Sequence, residues 1–246
     1  MILGFVGSGS MAAALARGLA GEVDGMLFSD SGSGRAAALA AELGGEALAN
    51  EEVATRADAI VLAVKPAALD AVAPTLQDAE EIVSVLAATP LSRLREAFPG
   101  AQILRTMPNV GVEVRQGVIC VAGDAPSPAV AAALERIAHV VGIDEEDFDG
   151  ATAVMGCAPA YLALAVEAIG DAGAADGLDP ELARELIVET TAGTAELLRR
   201  RHPADVRRAV ASPGGSTEAG LEELDRQDAR AAFTGAVEAS LRRMRG

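Results

Sequence analysis

Aromatic residues are scarce in this chain. Only six of 246 residues are aromatic, tryptophan is absent, and Tyr161 is the single tyrosine. Half of the residues are still hydrophobic, so a core has to be assembled from Ala, Val, Leu and Ile, which suits close helix–helix and helix–sheet packing. Lysine is rarer still, with Lys65 alone among 20 basic residues. Against 36 acidic residues this leaves a net charge of −16 and a pI near 4.5. Such acidity excludes non-specific nucleic-acid binding, which needs a basic face for the phosphates, and excludes a polybasic membrane contact. Two cysteines, Cys120 and Cys157, cannot form a disulfide framework and point to a reducing, cytoplasmic compartment. No group of residues has metal-ligand spacing. The two histidines, His139 at the end of a predicted helix and His202 before Pro203 in an Arg-rich turn, read as structural or solvated.

Neither a basic n-region nor a small-residue cleavage site precedes Met1-Ile2-Leu3-Gly4-Phe5-Val6, so no signal peptide is expected. The uncharged stretch Ala151 to Val166 falls short of the roughly 20 residues a membrane span needs, and Pro159 interrupts it. It reads as a buried helix at an intersubunit contact.

What is present is a regular alternation. Ile2–Val6, Met26–Ser29, Ala59–Val64, Ile82–Leu86, Gln102–Thr106 and Val118–Val121 read as strands, with Val140–Phe148 as one more. Met11–Ala20, Gly34–Leu43, Leu69–Leu76, Leu91–Phe98 and Pro128–His139 read as helices between them. Strands and helices in this order predict βαβ units: an α/β fold whose N-terminal part, residues 1–148, is a Rossmann-type, doubly wound, mostly parallel sheet. From about Asp149 the strand signals stop. Pro159–Asp176, Pro180–Arg201, Pro203–Val210, Ser216–Asp225 and Ala229–Arg243 read as helices, three of them opened by a proline where the missing N–H costs nothing. Residues 149–246 are therefore expected to be an all-α domain.

Gly7-Ser8-Gly9-Ser10-Met11-Ala12 follows the first strand and opens the first helix. Gly7 permits the tight turn, Gly9 lets backbone approach a pyrophosphate at the positive end of the helix, and Ala12 is small enough for close helix–strand packing. The strand–turn–helix context makes this a dinucleotide fingerprint. Asp30, at the end of the second strand, stands where an acid holds a ribose 2′-hydroxyl and favours NADH. Ser29, Ser31, Ser33 and Arg35 surround it and suit the 2′-phosphate of NADPH. Both cofactors stay open, with NADPH preferred. Lys65, in Ala63-Val64-Lys65-Pro66, closes the third strand at the edge where ligands bind in doubly wound sheets. It reads either as a cofactor contact or as an ordinary exposed turn residue. Ser212-Pro213-Gly214-Gly215-Ser216-Thr217 precedes another helix and reads either as a plain Gly-rich cap or as a cradle of backbone N–H groups for a small carboxylate.

Five segments occur in one order: Gly7 to Ala12, Leu62-Ala63-Val64-Lys65-Pro66, Arg105-Thr106-Met107-Pro108-Asn109, Pro159-Ala160-Tyr161 and Ser212 to Thr217. Together with Ala236-Val237-Glu238-Ala239-Ser240 they resemble pyrroline-5-carboxylate reductase, the last enzyme of proline synthesis, over nearly the whole chain. The resemblance implies NAD(P)H-dependent reduction of a cyclic imine to proline. It implies that Gly7, Ser8, Gly9, Ser10 and Met11 hold the pyrophosphate, and that Asn50 contacts the adenosine side. Ala63, Val64, Lys65 and Pro66 would line the ribose and nicotinamide, with Asn109 close by. Gly214, Gly215 and Ser216, beside Ser212, would bind the substrate carboxylate through backbone groups, and Thr217 would be the catalytic residue that reaches the ring nitrogen. The C-terminal helices would form a homodimer or higher homo-oligomer.

Two segments depart from the family pattern. Val110-Gly111 follow Asn109 in place of Thr-Pro, and Met155-Gly156-Cys157-Ala158 stand in place of Ser-Gly-Ser-Gly. A related cyclic imine is thus an alternative substrate. Rival readings are a deazaflavin-dependent NADP reductase, which leaves the Ser212–Thr217 loop unexplained, and a nonenzymatic NAD(P)-binding module. Hydroxyacid dehydrogenases of similar layout need a lysine in the second domain, and no lysine follows Lys65.

Overall fold

The computed structural model describes residues 1–245. An eight-stranded sheet comprises β1 (Ile2–Val6), β2 (Gly25–Ser29), β3 (Glu46–Ala47), β4 (Ala59–Leu62), β5 (Glu81–Ser84), β6 (Gln102–Pro108), β7 (Gly117–Gly123) and β8 (Ala138–Gly142). The strand order is β3-β2-β1-β4-β5-β6-β7-β8, and every pair is parallel except β6 with β7. The order reverses beside β1, which creates a crevice at the carboxyl ends of β1 and β4.

A sheet covered on both faces needs strands that are apolar on both faces. Phe5, Ala59, Val61 and Leu104 face one core layer, whereas Val6, Ile60, Leu62 and Ile103 face the other. Helices α1 (Ser10–Gly18), α2 (Arg35–Leu43) and α6 (Pro128–Ile137) contribute buried residues to the first layer, where Phe5 and Phe28 stack with centroids 5.2 Å apart. Helices α3 (Asn50–Arg56), α4 (Leu69–Val72) and α5 (Leu91–Ala97) contribute to the second. Ala12, Ala14 and Ala16 are all buried, so α1 lies close on the sheet as small side chains allow.

Several expected elements differ. Pro74 has no N–H to continue a helix, and Leu69–Leu76 divides into α4 and a 3-10 turn over Ala73–Leu76. His139 lies in β8 rather than at a helix end, because Ala138 already has extended backbone and the chain pairs with β7 from there. The last strand is correspondingly Ala138–Gly142, and Phe148 instead opens α7 (Phe148–Ala151), which runs into a π-turn over Thr152–Gly156. Two short elements, β3 and α3, are additional.

The chain divides into two compact units, Met1–Gly156 with Arg245, and Cys157–Met244. The second unit contains α8 (Ala158–Ala175), α9 (Pro180–Leu198), α10 (Pro203–Val210), α11 (Ser216–Arg226) and α12 (Ala229–Arg245). Pro159, Pro180 and Pro203 each stand in a first helical turn. Asp179 caps α9 by accepting from the Glu181 and Leu182 amides, and His202 caps α10 by accepting from the Ala204 amide at Nδ1, a structural role. The Tyr161 hydroxyl pairs with Ser240 Oγ at 2.6 Å, so the Pro-Ala-Tyr and Ala236–Ser240 segments meet.

This unit buries little within the chain. Among its described residues only Ala183 and Val206 are buried hydrophobics, while Leu162, Leu164, Ile169 and Leu186 are more than half exposed. The apolar stretch expected to be buried starts its regular helix at Ala158, and no residue of α8 is buried in the single chain. Glu145–Ala175 is long and apolar enough to cross a membrane by length and composition.

Candidate active site

At the carboxyl edge of the sheet, β1 hands over to α1 through Gly7-Ser8-Gly9. The Gly7 amide donates to Ser29 O at 3.1 Å, and the Ala63 amide donates to Val6 O at 2.8 Å, so the turn sits between the ends of β2 and β4. Gly7 has φ +95°, and a β-carbon there would lie 2.6 Å from the Ala63 carbonyl carbon and oxygen. No other residue fits. A β-carbon on Gly9 would meet nothing within 4 Å. Gly9 caps α1 without any side-chain hydrogen bond to the first-turn amides, which leaves those donors for an anion. The open space above Gly9, the free amides and the neighbouring cleft together fit a dinucleotide's pyrophosphate.

That cleft, of about 370 Å³, is lined by Gly7, Ser8, Gly9, Asp30, Ser31, Asn50, Ala63, Val64 and Lys65, with Val6, Arg35, Ala68 and Val72. A second cleft of about 420 Å³ adjoins it past Ser8 and Gly9; it includes Ser10, Arg17 and again Arg35. The Asn50 amide donates to Thr75 Oγ1 at 3.0 Å, which holds that side chain at the rim. Lys65 is exposed, and among the described residues it has no carboxylate partner.

Asp30 is occupied by its own loop. Its Oδ1 accepts from the Gly32 and Ser33 amides at 2.7 and 3.1 Å, and its Oδ2 from the Ala36 amide and Ser33 Oγ at 2.9 and 2.7 Å. The Ala36 amide and the Ser33 hydroxyl are the main reasons that its carboxyl is held down to about 2. Asp30 thus ties the Ser31–Arg35 turn to the start of α2, and the turn presents Ser31 and Arg35 to the cleft.

Other site residues point elsewhere. Ser29 is buried beneath the turn, with its hydroxyl 3.5 Å from Phe5 O and its carbonyl accepting from Gly7 and from Ser8 Oγ. Met11 packs partly buried against the core, and Pro66 opens an exposed 3-10 turn. Asn109 Oδ1 accepts from the Gly111 and Val118 amides at 3.2 and 3.1 Å, and Nδ2 donates to Met155 O at 3.2 Å. The two segments that depart from the family pattern are therefore joined through one side chain. Arg35 lines the cleft as the sequence suggested for a 2′-phosphate; Ala68 and Val72 were not singled out as cofactor contacts, and their signal is position, after the Lys65 turn.

In the helical unit, Ser212 to Thr217 forms an exposed turn before α11. Gly214 has φ +74°, and the Gly215 amide donates to Ser212 O at 2.9 Å. The Gly214 amide donates to Glu218 Oε2 at 2.6 Å. Gly215 caps α11 without a side-chain bond, so the Ser216, Thr217 and Glu218 amides are the donors left for a ligand. Glu218 stands in the first turn of that helix in the sequence, but its position alone does not show that its carboxylate accepts from the turn.

Cys120 is buried, and burial pushes its thiol up; Cys157 is also free. No group of three or more potential metal ligands occurs among the described residues.

Residues 145–246 match the family profile described as pyrroline-5-carboxylate reductase dimerisation, and residues 2–88 match that of NADP oxidoreductase, coenzyme F420-dependent. The chain is 35% identical over 259 residues to pyrroline-5-carboxylate reductase of Pseudomonas aeruginosa, covering 98% of this chain and 94% of that one. It is 36% identical over 207 residues to the Synechocystis enzyme of the same name, covering 79% and 76%. The crystal structure of Plasmodium falciparum pyrroline carboxylate reductase with NADP bound superposes with a TM-score of 0.85 at 28% identity, covering 99% and 97%. The nucleotide-binding half alone is shared with other NADP oxidoreductases, but full-length similarity and the helical half decide the matter: the chain belongs to the pyrroline-5-carboxylate reductase family.

Proposed function

We propose that this chain reduces 1-pyrroline-5-carboxylate to L-proline with NADPH or NADH, as an NAD(P)H-dependent oxidoreductase acting on a C=N bond. Full-length similarity to reductases of that name carries the reading, and the residue geometry is consistent with it.

The first unit supplies cofactor binding. Gly7 to Met11 offers backbone amides to the pyrophosphate, Asn50 stands at the adenosine side, and Ala63, Val64, Lys65 and Pro66 flank the ribose and nicotinamide. Asn109 acts by holding the end of β6 against the π-turn. Asp30 has both oxygens committed to its own loop, which weakens its claim on a ribose hydroxyl. Ser31 and Arg35 then favour the 2′-phosphate, and NADPH is the preferred cofactor. When bound, the reduced nicotinamide supplies the hydride.

The Ser212–Thr217 turn orients the substrate. The amides at the start of α11 hold its carboxylate at the positive end of the helix. The Thr217 hydroxyl hydrogen-bonds the ring nitrogen and fixes the C=N carbon for attack. A cyclic imine is most electrophilic when its nitrogen is protonated, so the site needs no strong acid, and neither histidine is required. Rate then comes from alignment.

The exposed apolar faces of α8 and α9 pair with a second copy of the chain. A dimerisation profile over 145–246 supports an interface between copies over a membrane span for Glu145–Ala175. The net charge of −16 and the free thiols suit a soluble cytoplasmic enzyme that binds neither nucleic acid nor membrane. The test is to incubate purified protein with pyrroline-5-carboxylate and each reduced cofactor and to measure cofactor consumption and proline. Turnover with NADPH exceeding that with NADH is expected; no proline with either cofactor rejects the reading.

A further inference from the structure

We propose that Glu218 is a built-in competitor for the substrate's carboxylate and sets substrate affinity, an inference that rests on the reductase reading above. Its carboxylate accepts from the Gly214 amide at 2.6 Å, on the same turn that is assigned to the substrate's acid group. Gly214 is in the left-handed region at φ +74°, and the Gly215 amide is closed back onto Ser212 O. One amide of the turn therefore already holds an anion supplied by the chain, and the Ser216, Thr217 and Glu218 amides at the start of α11 are left open.

An acid in the first turn of a helix is ordinarily a stabilising neighbour of the helix N-terminus. Here the same charge carries a second consequence. A substrate carboxylate seated on the Ser216 and Thr217 amides lies within a residue or two of Glu218, well inside one screening length, where like charges repel. The substrate binds either against that repulsion or after Glu218 has left Gly214. In both cases the enzyme binds its acid substrate less tightly than the bare turn does, which keeps KM up.

The charge and the hydrogen bond separate cleanly by substitution. Glu218→Gln keeps an oxygen for the Gly214 amide and removes the charge. Glu218→Ala removes both. In the otherwise unaltered full-length enzyme, with KM for NADPH as the internal reference, Glu218→Gln is expected to lower KM for pyrroline-5-carboxylate by about three- to tenfold, as for removal of one surface like-charge contact. Raising ionic strength is expected to lower the substrate KM of the unaltered enzyme and to change that of the variant less. An unchanged or raised substrate KM in an active Glu218→Gln enzyme overturns the proposal and leaves Glu218 a loop-shaping residue. The reductase reading fails separately, if the unaltered enzyme makes no proline.

Discussion

A β-carbon placed on Gly7 falls 2.6 Å from the carbonyl of Ala63, so the first βα turn and the end of β4 are in backbone contact. Gly9, two residues later, has nothing within 4 Å. The fold itself requires the first of these glycines, and the proposed cofactor site assigns the second to the ligand. Gly7→Ala is expected to destabilise the fold by at least about 2 kcal/mol, from a forced positive φ and the clash. Gly9→Ala is expected to cost about 1 kcal/mol or less of stability and yet to weaken NADPH binding by at least about tenfold, since its methyl enters the pyrophosphate space. Denaturant unfolding and NADPH fluorescence titration measure the two effects separately. Equal losses in both properties for the two variants would refute the division of labour.

Asp30 holds the Ser31–Arg35 turn through both carboxylate oxygens. Its carboxyl is lowered from 3.8 to about 2, mainly by the Ala36 amide. A depressed native value means that the ionised form stabilises the fold above pH about 4 and that this contribution is lost as pH falls from about 4 through about 2. Asp30→Ala is expected to cost about 1–2 kcal/mol at neutral pH and to reduce that acid-limb slope, as for loss of a helix cap. NADPH affinity falls with it, because Ser31 and Arg35 lose their fixed placement. Chemical unfolding at a series of pH values checks the first effect and cofactor titration the second.

Much of the nucleotide-binding fold was legible because buried parallel strands are apolar runs and the glycine motif has a strand before it and a helix after it. The misreadings came where tertiary context outweighs local pattern. Ala138 and His139 continue the apolar helical period of α6, yet β7 recruits them into β8 together with the expected strand residues Val140 to Gly142. Pro74 was visible inside Leu69–Leu76, and its missing N–H explains the break there. In the site, position along the chain predicted which backbone amides cluster, but not which of them are already used. Glu218 on Gly214 and Asp30 on its own loop are side-chain choices that spacing alone does not reveal. The apolar stretch of α8 was expected at an intersubunit contact, and in the single chain none of its residues is buried.

Thr217 lies in the first turn of α11, exposed, and its hydroxyl has no fold-holding hydrogen bond among the described residues. Thr217→Val is therefore expected to leave the melting temperature nearly unchanged. If the hydroxyl bonds the ring nitrogen, kcat falls by about tenfold to a hundredfold, a loss of one oriented hydrogen bond. Steady-state kinetics beside thermal melts decide it; unaltered kcat removes Thr217 from the chemistry.

Leu164 on α8 and Leu186 on α9 are 64% and 52% exposed in the single chain. Contiguous apolar surface of this kind marks an interface. Leu164→Arg with Leu186→Arg is expected to convert a dimer into monomers with little proline-forming activity, as read by light scattering after size-exclusion chromatography. An unaltered oligomer would place the interface elsewhere.

The central claim is hydride delivery to the carbon of a cyclic C=N bond whose carboxylate is held by the α11 turn. Reduced cofactor carrying deuterium at both C4 positions tests it directly. The account predicts proline with one deuterium on the ring carbon that was the imine carbon, and none at the α-carbon. Proline without label, or cofactor oxidation without proline, contradicts it.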